Sequence, residues 1–209
     1  MLKKPNILEL DFGMGNIRSL QKAFEHVGAN VDVVGNPDKF RDADAIIIPG
    51  DGAFGAAMEN LKACGFVEPI HEFIKSGKPV LGVCIGFQLL FEDSEEFATD
   101  QKGLSVFNGT IKKFEDENLS IPHMGWNKLS IPNESRILNN IKNNQYFYFV
   151  HSYCLPGTHP NSVGQCNYGI DFTAAVERDN VFAVQFHPEK SHAAGLHLIE
   201  NFIEVVASC

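Results

Sequence analysis

The sequence lacks what several protein classes require. It has 17 Lys and Arg against 26 Asp and Glu, a net charge of −9 and no basic run. That balance argues against a general nucleic-acid binder. Its five cysteines, Cys64, Cys84, Cys154, Cys166 and Cys209, are odd in number and include no Cys-x-x-Cys pair. A disulfide framework or a cysteine zinc site is therefore not expected. No apolar run approaches the length needed to span a membrane. Residues Met1–Asp11 carry two lysines and only a short apolar core, and read as a first strand instead of a signal peptide. There is one tryptophan, and no internal repeat, low-complexity tract or linker is visible. The expectation is a single domain over residues 1–209 in a reducing, cytoplasmic setting.

What is present begins with alternation of strands and helices. Asn6–Phe12 reads as a strand, followed by the turn Gly13-Met14-Gly15-Asn16 and a helix over Ile17–Val27 that stops at Gly28. The Gly-x-Gly resembles a dinucleotide turn, but Arg18 stands where that fingerprint needs its third glycine. Val31–Val34 and Ala45–Ile48 are further strands, the latter a continuous apolar run of the parallel-sheet kind. Gly50, Gly52 and Gly55 follow within six positions. They mark either a plain connection or a loop whose N–H groups face an anion. Helices fit Ala56–Ala63 and Val67–Lys75. The pattern predicts an α/β fold with a doubly wound, mostly parallel sheet, whose ligands sit at the carboxyl ends of the strands. After Glu96 the helical period fades into short strand-like runs: Leu104–Phe107, Thr110–Phe114, Tyr146–Val150, Val163–Gln165, Thr173–Glu177 and Val181–Phe186. Pro122–Asn127 reads as a compact turn around Trp126, and Ala193–Val206 as a closing helix.

The chain is organised around Lys78–Leu90. Val80–Val83 is a β-favouring run, and from Cys84 onward Phe87, Leu90 and Phe91 take helical spacing. Gly82 and Gly86 flank Cys84 at i−2 and i+2. A nucleophile on a tight strand-to-helix turn needs such neighbours, so that backbone packs closely and substrate approaches. A helix starting at the sulfur would favour thiolate. The bland alternative is a small buried hydrophobe. About a hundred residues on, Gln185-Phe186-His187-Pro188-Glu189 ends an apolar strand. In an extended segment His187 and Glu189 point to one side, Pro188 holding the pair extended. The carboxylate then orients the ring toward the sulfur, as in a nucleophile–base–orienter set. His-x-Glu also occurs in zinc deaminases, but the Pro-Cys-x-x-Cys they need is absent. His151 is a second candidate base.

These motifs resemble those of a known family. Gly82-Val83-Cys84-Ile85-Gly86-Phe87-Gln88 with Phe186-His187-Pro188-Glu189 is similar to the class I (triad) glutamine amidotransferases, and Pro49-Gly50-Asp51-Gly52 to their oxyanion strand. Asp11–Asn16, Pro122–Asn127, Phe149–Tyr153 and Pro188–Ser191 resemble the branch of glutaminase subunits of imidazole glycerol phosphate synthase, almost end to end and in the same order. The resemblance implies Cys84 as nucleophile, His187 as base and Glu189 as orienter. It implies an oxyanion hole from Gly50, Asp51, Gly52 and Ile85, and a glutamine site with Gln88, Ser152 and Tyr153. It also implies docking on a (β/α)₈-barrel cyclase through Asn16, His123, Trp126, Asn127 and Lys190, with no cofactor and no metal. The branch usually carries valine where Asp51 stands, and leucine and methionine where Ile85 and Phe87 stand. Asp51 leaves the family reading intact and keeps a second acceptor open: a synthase that amidates a sugar for surface polysaccharide.

Overall fold

The computed structural model describes residues 4–96, 102–115 and 119–209. Met1–Lys3 of the expected first strand lie outside the described residues. Strand β1 (Asn6–Leu10) leads into helix α1 (Ile17–His26), and β2 (Asn30–Val34) and β3 (Ala45–Ile48) follow. Helices α2 (Phe54–Ala63) and α3 (Val67–Lys75) precede β4 (Val80–Val83) and the short helix α4 (Ile85–Leu89). Eight strands then run in succession: β5 (Asp93–Ser94), β6 (Thr110–Lys113), β7 (His123–Leu129), β8 (Gln145–His151), β9 (Tyr153–Pro156), β10 (Ser162–Tyr168), β11 (Ile170–Arg178) and β12 (Val181–Val184). Helix α5 (His192–Ala207) closes the chain.

Five strands are parallel, in the order β2-β1-β3-β4-β12. Their apolar residues are buried on both faces, as a sheet between two helical layers demands. Ile47, Leu81 and Val83 pack with Leu20 and Phe24 of α1 and Leu198 and Phe202 of α5. Ile46, Ile48 and Val80 pack with Phe54 and Met58 of α2, Ile70 of α3 and Phe87 of α4. Phe24 meets Phe202 edge-on with centroids 6.2 Å apart, a contact worth about 1 kcal/mol beyond the area it buries. Beyond β12 the sheet turns antiparallel through β11 and β9 to β6, with β5 at the edge and β10 on β11. Strands β7 and β8 form a separate antiparallel pair. The mixed architecture with a parallel half is the one the alternation predicts.

Three local expectations are corrected. Pro122–Asn127 is not a compact turn, because His123–Leu129 is β7, paired residue for residue with β8. Proline and glycine dominate the local signal there, while the strand is stabilised by cross-strand pairing that a local pattern does not reveal. Leu104–Phe107 is not a strand, and α4 does not extend to Phe91. Both have one cause. The N–H groups of Leu104, Ser105, Val106 and Phe107 bond the carbonyls of Leu89, Phe91, Leu90 and Leu90, so the returning segment satisfies the helix end and stops it. Strand β9, unforeseen, pairs with β11 and β6.

Candidate active site

Cys84 stands at the junction of β4 and α4 with φ 57° and ψ −107°, a conformation a non-glycine residue holds only when its surroundings impose it. Its N–H bonds the carbonyl of Val184 at 2.9 Å, so β12 seats the elbow. The flanking glycines are required by space. A Cβ on Gly82 would lie 2.6 Å from the Gly86 carbonyl oxygen, and one on Gly86 would lie 1.8 Å from the Ile48 carbonyl oxygen. Neither backbone can retreat without parting β3, β4 and α4. Gly86→Ala is therefore expected to lower the unfolding free energy by about 3 kcal/mol or prevent folding, read as a shift in urea midpoint at constant slope. Helix α4 has only five residues, so its dipole is weaker than the sequence reading assumes.

The residue that faces the elbow is His187, at the exit of β12. Its Nδ1 lies 2.8 Å from Glu189 Oε1, and Nε2 has no hydrogen-bond partner among the described residues. The expected contact is present, but its expected cause is not. Pro188–Lys190 is a 3-10 turn with Pro188 at its first position, where a proline costs nothing. The turn, not an extended segment, brings Glu189 under the ring. Burial disfavours the imidazolium, yet Cys84 and then Glu189 outweigh it and raise His187 to about 10. The proton thus rests on His187 across the neutral range, and the site sets an acid against the cysteine sulfur. This arrangement can attack a carbonyl carbon and hand a proton to its leaving group.

A cleft of about 240 Å³ opens on the sulfur, lined by Asp51, Gly52, Cys84, Ile85, Gln88, Glu96, Pro122, Val150, His151, Ser152 and Tyr153. Larger hollows exist, but they hold neither Cys84 nor His187. Gln88, expected as a ligand contact, is buried, and its amide nitrogen bonds Gln185 Oε1 at 3.0 Å and the Tyr153 carbonyl at 3.2 Å. Gln185 in turn places its Nε2 4.0 Å from the Cys84 sulfur. Glu96 accepts the Phe54 N–H at 2.6 Å, and burial holds it above the usual carboxylate range. Neither Gln185 nor Glu96 was singled out in the sequence. For Gln185 a signal existed, a lone amide continuing an apolar strand two residues before His187.

His151 lines the cleft but is no base. Its Nδ1 lies 2.7 Å from the Tyr153 carbonyl, which only accepts, so Nε2 is an acceptor and receives His123 Nδ1–H at 3.1 Å. Burial lowers His151 to about 3 and His123 to about 4, so both rings are neutral. Asn127 completes the chain 3.2 Å from His123 Nε2.

The oxyanion hole expected from Gly50, Asp51, Gly52 and Ile85 is closed in this conformation. The Ile85 N–H faces the Gly50 carbonyl at 3.5 Å. In a trans peptide C=O and N–H point oppositely, so the Asp51 N–H is turned away from that side. Gly50 and Gly52 have φ of 150° and 87°; they flank Asp51 and give the loop the freedom by which the Gly50–Asp51 peptide could rotate to reverse this. Asp51 is exposed and makes no ion pair among the described residues.

The expected docking residues divide. Asn16 and Lys190 are exposed, and the Lys190 ammonium sits 5.8 Å from the Tyr148 ring centroid. Trp126 is 44% exposed and stacks on His192 at 4.9 Å. With Met124 at 63% and Tyr146 at 47% it forms an apolar patch on the outer face of β7 and β8, of the kind that marks an interface. His123 is a correction, since it is 3% exposed and belongs to the inward face of β7.

Comparison with known proteins agrees with this geometry. A family model described as glutamine amidotransferase class-I matches residues 8–205. The chain is 45% identical over 198 residues to imidazole glycerol phosphate synthase subunit HisH of Sulfurimonas denitrificans, covering 92% of this chain and 95% of that one. It is 46% identical over 200 residues to the same subunit of Geobacter metallireducens, at the same coverage. Among solved structures, PurLQS from Thermotoga maritima superposes with a TM-score of 0.77 at 18% identity, over 97% of this chain and 99% of that one. The structural likeness shows the fold, and the sequence likeness goes further: this chain belongs to the class I glutamine amidotransferases.

Proposed function

We propose that this chain is the glutaminase subunit of an imidazole glycerol phosphate synthase, working as one glutaminase domain over residues 1–209. It hydrolyses glutamine and passes ammonia to a docked (β/α)₈-barrel cyclase that forms imidazole glycerol phosphate and an aminoimidazole carboxamide ribotide. The observation that carries the chemistry is the strained Cys84 elbow, which lines the cleft and interacts with the hydrogen-bonded His187–Glu189 pair behind it. The names of the relatives carry the acceptor and favour histidine biosynthesis over sugar amidation.

Cys84 thiolate attacks the side-chain amide carbon, and His187 gives its proton to the departing ammonia. Water then attacks the thioester while His187 takes its proton, and glutamate leaves with the thiolate restored. Glu189 keeps Nδ1–H engaged throughout. Glu96, Ser152 and Tyr153 line the same cleft as Cys84, which supports a role for them in holding the amino-acid end of glutamine. A small cavity of about 20 Å³ touches His187 and Glu189 on one side and the exposed Asn16 and Lys190 on the other, which supports ammonia exit on the docking side.

The closed oxyanion hole supports activation by docking. Rotating the Gly50–Asp51 peptide would turn an N–H toward the sulfur side, a donor typically worth about 3 kcal/mol. A carboxylate within about 5 Å of the developing oxyanion would oppose it by a few kcal/mol at an effective dielectric near 20. The unpaired Asp51 therefore needs a cationic partner on the synthase. The test is glutamate release with and without the histidine-pathway synthase, for wild type and Asp51→Val. Strong stimulation of wild type is expected, with a higher basal rate and smaller stimulation in Asp51→Val. No stimulation by that synthase would overturn the acceptor, and equal stimulation of both proteins would remove Asp51 from the switch.

A further inference from the structure

The nucleophile has a polar neighbour that the chemistry above does not use. Gln185 continues β12, the strand whose Val184 carbonyl takes the Cys84 N–H at 2.9 Å. The N–H of Gln185 bonds the Ala174 carbonyl of β11 at 2.8 Å, so its backbone is held between the two strands that flank β12. Strand alternation sends Phe182 and Val184 into the layer of α1 and α5, and Val181 and Ala183 into the layer of α2 to α4. Gln185 follows Ala183 to the α4 side, where it is 0% exposed. A buried amide is costly unless its polar ends are engaged.

Both ends are engaged, and in a fixed sense. The Tyr153 carbonyl of β9 can only accept. It takes the His151 Nδ1–H at 2.7 Å and the Gln88 Nε2–H at 3.2 Å. Gln88 must therefore turn its NH₂ group toward β9, and the same group meets Gln185 Oε1 at 3.0 Å. With Oε1 held by Gln88, the NH₂ group of Gln185 faces the elbow, and its Nε2 lies 4.0 Å from the Cys84 sulfur. Reversing Gln185 would set its NH₂ group against that of Gln88. One backbone carbonyl thus sets the polarity of the whole chain of amides, and that chain ends with a donor at the sulfur.

We propose that Gln185 is a donor to the nucleophile: its side-chain N–H, aimed by Gln88, supports the Cys84 thiolate and fixes the direction of the sulfur. The role rests on the reading of Cys84 as nucleophile and adds a residue to it. A thiol is a weak acceptor, and a contact of 4.0 Å is long for one. A charged sulfur accepts more strongly and draws the donor closer. In the proposed mechanism that charge is present before attack, is lost as the thioester forms and returns when glutamate leaves. The donor therefore favours the resting sulfur and the departing one. Gln88 is then a positioning residue that acts through Gln185. Its NH₂ group is engaged by Tyr153 and Gln185, which leaves it no donor for glutamine. The competing arrangement is that Gln185 only fills space beside α4 and satisfies Gln88, its approach to the sulfur being incidental.

The test reads the sulfur itself, in the isolated chain, and needs no synthase or acceptor. The signal is the ultraviolet absorbance of the thiolate, taken as the difference from Cys84→Ala and followed against pH. Gln185→Met keeps the length of the side chain and removes the donor. Its profile is expected to move upward by about one pH unit, which a space-filling role would not produce. Gln88→Met leaves Gln185 in place but frees its amide to turn, and is expected to move the profile the same way by less. The double variant should move it no further than Gln185→Met alone, because the two act as one unit. In complex with the synthase, Gln185→Met should lose about tenfold in kcat with KM held within about threefold. An unmoved profile or an unchanged kcat in Gln185→Met, or single displacements that add in the double variant, overturns the donor role while the nucleophile stands. Glutamine turnover that survives in Cys84→Ala overturns the reading of Cys84 and the donor role with it. If Gln185→Met does not fold, the Gln88→Met profile decides, and an unmoved one overturns the proposal.

Discussion

A complex carrying Cys84→Ala is expected to release no ammonia from glutamine above background, yet to make the synthase product at the wild-type rate when ammonium salts are supplied. Only amide hydrolysis needs a nucleophile, and in this cleft one is available, the sulfur at the end of β4. Loss of a nucleophile from a set that acts as a unit costs on the order of 10⁴-fold or more. The alanine should fold, because Cys84 is a small, 6% exposed side chain and its removal leaves the Gly82 and Gly86 approaches untouched. Glutamate production by purified Cys84→Ala complex, at any rate above a heat-killed control, would refute the assignment. Failure to use ammonium would show instead that the substitution disturbs docking.

The second large effect ranks the other two members. His187→Asn is expected to lose nearly as much turnover as Cys84→Ala. In the proposed mechanism the ring supplies a proton to the leaving ammonia and removes one from water, and asparagine does neither. Glu189→Gln should lose one to two orders of magnitude less. Its amide still packs in the 3-10 turn under the ring, but it no longer offers Oε1 as an anion to Nδ1. The measurement is single-turnover glutamate release in the docked complex. A Glu189→Gln slower than His187→Asn would mean that the carboxylate takes part in proton transfer and is more than an orienter.

These residues were readable from local pattern because their geometry is local. The Val80–Val83 strand, the glycines at 82 and 86 and the His187–Glu189 spacing all lie within short windows, and the structure reproduces the bounds of that strand. The reason given for the His187–Glu189 contact was nevertheless wrong, since a turn and an extended segment bring i and i+2 together by different routes. Gln185 and Glu96 were not found. Each is a polar residue whose meaning lies in what a distant helix places against it: Gln88 of α4 for the first, the Phe54 N–H of α2 for the second. The closed state of the Gly50 loop was equally illegible, because sequence shows that a peptide is free to rotate and not which way it rests. His123 was placed on the surface by resemblance, and only pairing with β8 reveals its inward face.

The insertion of β12 between β4 and β11 has a consequence for how the enzyme comes into being. The strand that seats Cys84 is made about a hundred residues after it, and its partner on the far side, β11, immediately before it. While the chain emerges from the ribosome, β1 to β4 and their helices can assemble with β4 as an open edge. The thiol then has no imidazole beside it, and the elbow lacks its bond to Val184. Closing so long a loop adds little entropy beyond a shorter one, but it makes the decisive contact one of the last available. Maturation of the nucleophile is thus tied to completion of the sheet, and a chain arrested before residue 181 would carry an unactivated cysteine on an unprotected strand edge. Such an edge invites pairing with other chains, and that exposure ends only when β12 pairs with β4.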